Sequence, residues 1–331
     1  MKDHLGRSIE YLRISLTDRC NLRCVYCMPE EGVEWRSHDD ILRIEEIVRF
    51  VEVAARNGIR KVRLTGGEPL VRRGVVDLIE DISAIEGIED ISLTTNGILL
   101  PRMADELKDA GLTRVNISLD TLDPVKFAQV TRRGRLEDTL AGIDAALDVG
   151  FHPVKVNCVA VKSLDQDFTA FAALTIDRPL HVRFIEFMPI GNTGCGGTGW
   201  TSEDIIPSVR LMECINAGLA ERGMLPLEPA TDTPVTWGPA QSFRIPGAQG
   251  TVGFITPMSN HFCGACNRVR VTADGKLRPC LFSDLEYEAL DVLRNGTDED
   301  VARVLQTAIQ MKPADHVGKA GTERAMSQIG G

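Results

Sequence analysis

The stretch YLRISLTDRCNLRCVYCMP, residues 11–29, governs how the rest of the chain is read. It opens on an alternation in which Arg13, Ser15 and Thr17 stand between Leu12, Ile14 and Leu16. A period of two marks a strand. It closes on Cys20, Cys24 and Cys27 in a C-x3-C-x2-C arrangement, with Tyr26 directly before the last thiol. Tetrahedral zinc or a four-iron cluster normally takes four protein ligands, so three thiols leave one coordination position for a molecule that is not protein. Chance burial of small apolar thiols, or a structural zinc completed by a distant fourth ligand, are the competing readings.

One βα unit later, directly after the strand-like residues 62–64, comes Thr65-Gly66-Gly67-Glu68-Pro69. Alone it reads as a tight strand-to-helix turn. Together with the thiol triad it resembles the radical S-adenosylmethionine (SAM) enzymes. In that superfamily three cysteines hold a [4Fe-4S] cluster whose fourth iron binds the amino and carboxylate groups of SAM. The resemblance implies generation of a 5'-deoxyadenosyl radical, a species beyond any amino-acid side chain.

Composition narrows the class. With 331 residues the expectation is one large domain with an appendage, or two domains, and 43% hydrophobic content supports a buried core. The sequence holds no uninterrupted apolar run long enough to span a bilayer, and Lys2, Asp3, His4 and Arg7 occupy the start in place of a signal-peptide pattern. A cytoplasmic protein without membrane contact is expected. Nine cysteines in ligand-like clusters then point to reduced, metal-binding thiols rather than disulfides. A net charge of -10 argues against nucleic acid and anionic membranes as partners, while a local arginine pocket can still hold one small anion.

Short β-rich runs at 12–16, 61–64, 91–94, 115–119, 154–161 and 182–187 are each followed by a helical pattern, which predicts a parallel sheet of βα units. Ile44, Ile47, Val48, Val51, Ala54 and Ala55 share a helix face that ends at Asn57-Gly58, and a second long helix over 136–149 stops at Gly150. The polar alternation of the first strand recurs as Arg63 with Thr65, Asn116 with Ser118 and Lys155 with Asn157. If helices cover the apolar face, these polar sets line a wet cavity rather than a packed barrel interior. An antiparallel sheet with one solvated face is the alternative, and the βα alternation speaks against it. The rhythm stops after 187, where a glycine-rich stretch at 191–199, a helix over 202–222 and a proline-bearing connection at 226–239 follow. The predicted division is 1–230, 231–318 and a mobile tail 319–331, the middle part holding a hairpin of 267–272 and 276–282 joined by Asp274-Gly275, then helices from about Leu285 and Asp298.

Cys263, Cys266 and Cys280 form a second three-thiol set, C-x2-C-x13-C, and a zinc knuckle completed by His261 suits that spacing as well as a second iron-sulfur cluster does. With VRLTGGEPL at 62–70, SLTTNG at 92–97, NISLD at 116–120, RFIEFMPIG at 183–191, CNRVRVTADGKLRPCLF at 266–282 and the terminal Gly330-Gly331, the chain resembles the GTP 3',8-cyclase family of molybdenum cofactor biosynthesis from Tyr11 to its last residue. The resemblance implies an α/β fold, an incomplete (βα)6 TIM-like barrel with a carboxy-terminal α+β cluster-binding domain. It implies two [4Fe-4S] clusters, on Cys20, Cys24 and Cys27 and on Cys263, Cys266 and Cys280, with SAM as cosubstrate. SAM contacts fall on Tyr26, Gly67, Ser118 and Met188, with Arg183 beside the sulfonium. GTP contacts fall on Arg13, Arg63, Thr94, Lys155, Arg268, Val269 and Arg270, the guanine lying at the open iron of the second cluster. Arg268, Arg270, Gly330 and Gly331 form the implied catalytic group, with the tail in the active site.

The implied reaction removes the 3' hydrogen of the GTP ribose and joins C3' to C8 of guanine. A low-potential flavodoxin or ferredoxin would supply electrons, a cyclic pyranopterin monophosphate synthase would take the product, and a homodimer is possible within the family. The residues support part of this independently, because Arg13, Arg63 and Lys155 sit at inward strand positions and can neutralise a triphosphate. Read alone, Arg63 and Lys155 are equally solvated surface charges, Asn96 and Asp120 are turn residues, and Cys158, Cys195 and Cys214 are thiols without partners by spacing. Two rival functions remain at this point. A peptide-modifying radical SAM maturase would carry a different second cysteine pattern and no basic set; a non-catalytic iron-sulfur or zinc protein would not need Gly-Gly-Glu-Pro or a polar barrel.

Overall fold

The polar and apolar alternation of the strands shapes the whole molecule. The computed structural model describes residues 1–33, 36–190, 200–232, 238–317 and 322–330. Strands β1 (Tyr11–Ser15), β2 (Lys61–Thr65), β3 (Asp90–Thr95), β4 (Arg114–Ser118), β5 (Val154–Ala160) and β6 (Leu180–Glu186) follow one another in parallel. Between them run helices α1 (Ile44–Arg56), α2 (Val75–Ser83), α3 (Leu100–Asp109), α4 (Pro124–Thr131), α5 (Leu136–Asp148) and α6 (Phe168–Ala173). Leu12, Ile14, Val62, Leu64, Leu93, Val115, Ile117, Val156 and Phe184 on the strands share one buried core with Ile47, Phe50 and Val51 of α1, Leu78 of α2 and Ile143 of α5. Each such side chain contributes about 1.5–3 kcal/mol on burial, so folding is driven from the helix-covered face.

The opposite face is polar and largely buried. Arg183 on β6 is electrostatically coupled to Arg63 on β2 and to Tyr11 on β1, which requires the sheet to curl until its first and last βα strands face each other. The curl leaves an incomplete barrel.

Beyond β6 come α7 (Ser208–Glu221), β7 (Glu228–Pro229), β8 (Gln241–Arg244), β9 (Thr251–Ile255), β10 (Arg268–Val271), β11 (Lys276–Arg278), β12 (Tyr287–Glu288), α8 (Leu290–Asn295), α9 (Asp298–Gln310) and α10 (Met326–Ile329). Among the described residues the strands join one sheet in the order β12-β11-β10-β1-β2-β3-β4-β5-β6-β9-β8-β7. β9 is parallel to β6 and β10 is parallel to β1, so the segment past residue 230 extends both ends of the barrel and the division at 230 falls within one continuous sheet.

Three expected elements end differently, each for a local reason. The helix expected over 202–222 is a 3-10 turn, Ser202–Asp204, followed by α7, because Pro207 disfavours helical backbone at the residue before it. The second hairpin arm pairs only through Arg278, since Pro279 has no N–H to donate. The helix expected near Leu285 starts at Leu290, residues 287–288 being taken up by β12. Among the described residues no helix is long and apolar enough to cross a membrane.

Candidate active site

The first thiol set lies on the loop that leaves β1 at its carboxyl end, where ligands of parallel sheets collect. The loop is folded by its own backbone, with Cys27 N–H and Met28 N–H both donating to the Cys24 carbonyl at 2.9 and 3.1 Å. It is pinned to the end of α4 through Arg23 N–H to Thr131 O and Val25 N–H to Val130 O. Gly67 provides the close approach on the other side. A Cβ there would meet the Arg19 carbonyl at 2.2 Å, so only glycine lets the end of β2 pack against the cysteine loop. Glu68, next along, accepts from Asn96 N–H at 2.7 Å, Thr95 hydroxyl at 2.8 Å and Leu70 N–H at 3.0 Å, and burial raises its carboxyl to about 7.

Two residues read from sequence as turn formers complete this end. Asp120, just past β4, accepts from the Tyr26 hydroxyl at 2.6 Å, and Tyr26 in turn stacks on Trp200 with centroids 5.8 Å apart. Asn96, just past β3, donates to Asn21 at 2.7 Å and lies 3.9 Å from the Cys20 sulfur. Burial pushes the Cys20 thiol up to about 11 and the Cys27 thiol up to about 12. Such thiols ionise only against added positive charge, which an iron cluster provides.

Below this loop the inward face of the sheet carries a belt of cations. Register aligns Arg270 with Arg13, Arg13 with Arg63, Asn116 with Lys155, and Asn157 with Arg183. Lys155 is 1% exposed and Arg63, Arg183 and Arg270 are all buried. Arg183 is held in place by Asn116 and Asn157, at 2.7 and 2.6 Å from its Nη2, and Arg63 donates to Ser92 at 3.2 Å. Arg63 and Arg13 also lie over the Tyr11 ring, 5.3 and 5.9 Å from its centroid. Burial and then mutual repulsion lower the group: Arg183 and Arg270 to about 9, Lys155 to about 5. Arg13 Nε and Thr94 Oγ1 are buried with no hydrogen-bond partner. Repelling cations with unspent donors are the chemistry of a polyanion site.

The second thiol set occupies the other end of the barrel. Cys263 and Cys266 precede β10, and Cys280 follows β11, which returns antiparallel to it. Burial acts to raise the Cys266 thiol, but Arg268 and Lys312 outweigh it and bring it down to about 6. Among the described residues no three His, Cys, Asp or Glu converge on a single metal ion, so the case for either set rests on three-thiol chemistry suited to a cluster larger than one ion.

The carboxy-terminal residues, expected to be mobile, are packed where they are described. Ile329 is 1% exposed and joins Ile190 and Phe282 in a small apolar cluster that Met188 and Cys280 flank. Ser327 acts to lower the nearby Cys27 thiol against burial, and Arg270 donates to the Gly330 carbonyl. Gly330 has φ +67, and a Cβ there would lie 2.7 Å from Thr65 Cγ2. Arg324 holds the approach, donating to both oxygens of Asp274 at 3.0 Å and to Glu286 at 2.7 Å. Charge-assisted bonds of this kind contribute about 1.5–3 kcal/mol, about a tenfold or larger change in docking. Arg324→Met is therefore expected to expose the tail to carboxypeptidase at a rate about tenfold or more above that of the native protein, with the barrel still folded. Unchanged protection of the tail would show that Arg324 does not hold it.

The barrel thus brings Cys20, Cys24, Cys27, Tyr26, Gly67, Ser118 and Met188 toward one end, and Arg268, Cys263, Cys266 and Cys280 toward the other, with Arg13, Arg63, Thr94, Lys155, Arg183 and Arg270 on the face between and the tail's Ile329 meeting both Met188 and Cys280. Val269 has a different part from its neighbours. Its side chain is in the apolar core, as period two demands between two inward arginines, which leaves its backbone alone for any ligand. Gly331, Cys195 and the stretch 191–199 lie outside the described residues. Cys158 is buried and Cys214 exposed, both apart from the two sets. Tyr11 and Arg114 belong to the inward face and could have been read from the same alternation that marked Arg13 and Asn116.

Comparison with known proteins agrees with this arrangement. Residues 14–174 match the Radical SAM superfamily, and residues 180–318 match the family described as Molybdenum Cofactor Synthesis C. The fold is similar to Streptococcus suis SuiB bound to precursor peptide SuiA, with TM-score 0.60 and 15% identity over 95% of this chain and 67% of that one. It is likewise similar to anSMEcpe with bound AdoMet, with TM-score 0.58 and 14% identity over 88% and 81%. At such identities the likeness concerns the fold alone; it is the sequence match over residues 14–174 that marks a radical SAM protein. Over the full length of both chains, the sequence is 51% identical to the GTP 3',8-cyclases of Pelotomaculum thermopropionicum and Moorella thermoacetica. The GTP 3',8-cyclase of Petrotoga mobilis is 49% identical, again over all of both chains. The chain belongs to the GTP 3',8-cyclase family.

Proposed function

We propose that this chain converts GTP to 3',8-cyclo-7,8-dihydroguanosine 5'-triphosphate, the first step of molybdenum cofactor biosynthesis. The observation that carries the reading is the belt of buried cations between two three-thiol sets. Cys20, Cys24 and Cys27 would hold one [4Fe-4S] cluster with SAM, beside Tyr26, Gly67, Ser118, Met188 and Arg183, and Cys263, Cys266 and Cys280 a second cluster for the guanine. When bound, SAM on its cluster supplies the 5'-deoxyadenosyl radical that removes the ribose 3' hydrogen.

The chain's own residues do the positioning. Arg13, Arg63, Lys155, Arg268 and Arg270 neutralise the triphosphate, and the backbone of Val269 and the Thr94 hydroxyl orient the nucleoside. Fixing both ends of the nucleotide turns closure of C3' onto C8 into an intramolecular step. The described tail, with Gly330 bonded to Arg270, covers the cavity and excludes water from a reactive substrate radical. Arg268, Arg270, Gly330 and Gly331 are the residues proposed to touch the reacting nucleotide. Further along, a low-potential flavodoxin or ferredoxin in the cytoplasm would reduce the first cluster, and a cyclic pyranopterin monophosphate synthase would consume the product.

The test is anaerobic reconstitution with iron and sulfide, followed by measurement of deoxyadenosine with and without GTP. GTP is expected to raise deoxyadenosine formation and to be consumed with it one for one. SAM cleavage indifferent to GTP would overturn the substrate, and SAM cleavage driven by a peptide would favour the maturase reading.

A further inference from the structure

After α9 the chain crosses beside the second thiol set and presents Lys312 and His316 to it, whose role in the site has so far been only the pull of Lys312 on the Cys266 thiol. Lys312 is 3% exposed, and its Nζ donates to the carbonyls of Arg268 and Pro279, both at 2.8 Å. Its charge acts on the nearby Cys266 thiol. Two carbonyls hold the nitrogen beside Cys266, and an ammonium keeps a third donor for the sulfur. Arg268 opens β10 two residues after Cys266 and Pro279 directly precedes Cys280, so one buried charge ties together the segments carrying both thiols.

His316 serves the remaining thiol. Its Nδ1 lies 3.2 Å from Cys263 Sγ, and its ring stacks on Phe282 with centroids 4.3 Å apart at 13°. A thiolate only accepts, so against it this nitrogen must carry the proton. Arg7 fixes the turn between the two residues. Its guanidinium donates to the carbonyls of Lys312, Pro313, Ala314 and Cys263 at 3.3, 2.8, 3.2 and 2.9 Å, while its Nε pairs with Asp3 at 2.6 Å.

We infer that Lys312 and His316 are positioning residues for the second cluster, Lys312 as its fixed counter-charge and His316 through an N–H···S bond, and that together they set its reduction potential and hold its thiolates in place. The inference rests on the proposed second cluster. Net charge and hydrogen bonds to sulfur are the protein's means of tuning such potentials, and loss of a nearby positive charge makes reduction harder.

The experiment uses the full chain, reconstituted anaerobically, with iron counted and each cluster's paramagnetic signal titrated against potential. Lys312→Met and His316→Phe are each expected to lower the midpoint of the second cluster by at least tenfold in its one-electron reduction equilibrium, about 59 mV. The SAM-sensitive signal of the first cluster should be unchanged, which reports a folded barrel. His316→Asn, whose amide N–H can take the place of Nδ1–H, is expected to reverse most of the shift. Selective loss of the second cluster's iron in Lys312→Met would equally support the positioning role. A midpoint and iron content like those of the unmodified protein in both Lys312→Met and His316→Phe would overturn it. If the unmodified chain binds one cluster only and Cys266→Ala leaves its iron content unchanged, the second-cluster reading fails and this inference fails with it.

Discussion

Cys24→Ala is expected to bring deoxyadenosine formation down to the uncatalysed background, a loss of roughly 10⁶-fold or more. Cys24 sits at the head of the turn that receives the Cys27 and Met28 amides, and burial with the neighbouring Cys27 and Asp120 raises its thiol well above the ordinary range. Among the three thiols none is redundant, because three ligands are the minimum that leaves one iron open for SAM. The loss should appear as missing iron and a missing SAM-sensitive spectrum, with the fold intact, since the barrel core lies on the other face of the sheet. Cys214→Ala, at an exposed position apart from both sets, is the matched control and should change nothing. A Cys24→Ala protein that cleaves SAM at the native rate would remove the cluster from this loop.

Much of this architecture was legible in the residues because two periodicities coincide. Arg13 and Ser15 between Leu12 and Ile14, repeated in Arg63 and Thr65 and in Asn116 and Ser118, identified a sheet with one apolar and one polar buried face. That pattern has no use in a solvated sheet flanked by helices, so the cavity followed. The spacing of the two thiol sets marked their chemistry, and the resemblance assigned which cofactor each would hold. The curl that brings β6 across from β1 was not legible, since it depends on the sum of strand twists rather than on any one residue.

Residues that act through others escaped the reading. Asn96 and Asp120 look like turn formers because their immediate neighbours say nothing of a cysteine loop some seventy-five to ninety-five positions away. What could have found them is their place, just past the carboxyl ends of β3 and β4, level with the loop that follows β1. For a related reason the docking of the tail was legible only through the resemblance, while composition alone pointed to a mobile end. Residues 322–330 have no helical period, yet Arg324 finds two carboxylates and Ile329 an apolar niche, and a docked segment needs only such isolated anchors. Lys312 and His316 were silent in sequence because neither belongs to a motif with the thiols it touches.

Lys155→Met is expected to make the ligand-free protein more stable and the enzyme much worse. Burial first, then Arg183, Arg114 and Arg63, bring Lys155 down to about 5 from an ordinary value of 10.5. Between those two values the unfolded chain binds a proton that the folded chain does not, so this group's destabilising contribution is absent above 10.5, grows as pH falls, and is complete below about 5. Methionine preserves the stem and removes the titration. The melting temperature at neutral pH should rise by about 2 °C or more, and its dependence on pH across that window should flatten. GTP reverses the balance, because a triphosphate beside Lys155 favours the ammonium. Binding by the native protein near pH 7 should therefore take up a proton, visible as a binding enthalpy that changes with the ionisation enthalpy of the buffer. In Lys155→Met that uptake should vanish, and GTP affinity should fall by about 10- to 100-fold, the equivalent of one charge-assisted bond. SAM affinity should stay nearly constant, since Lys155 lies partway down the face from the cysteine loop. Equal losses for both ligands, or proton uptake that survives the substitution, would mean that Lys155 does not meet the phosphates and that the cationic face has another purpose.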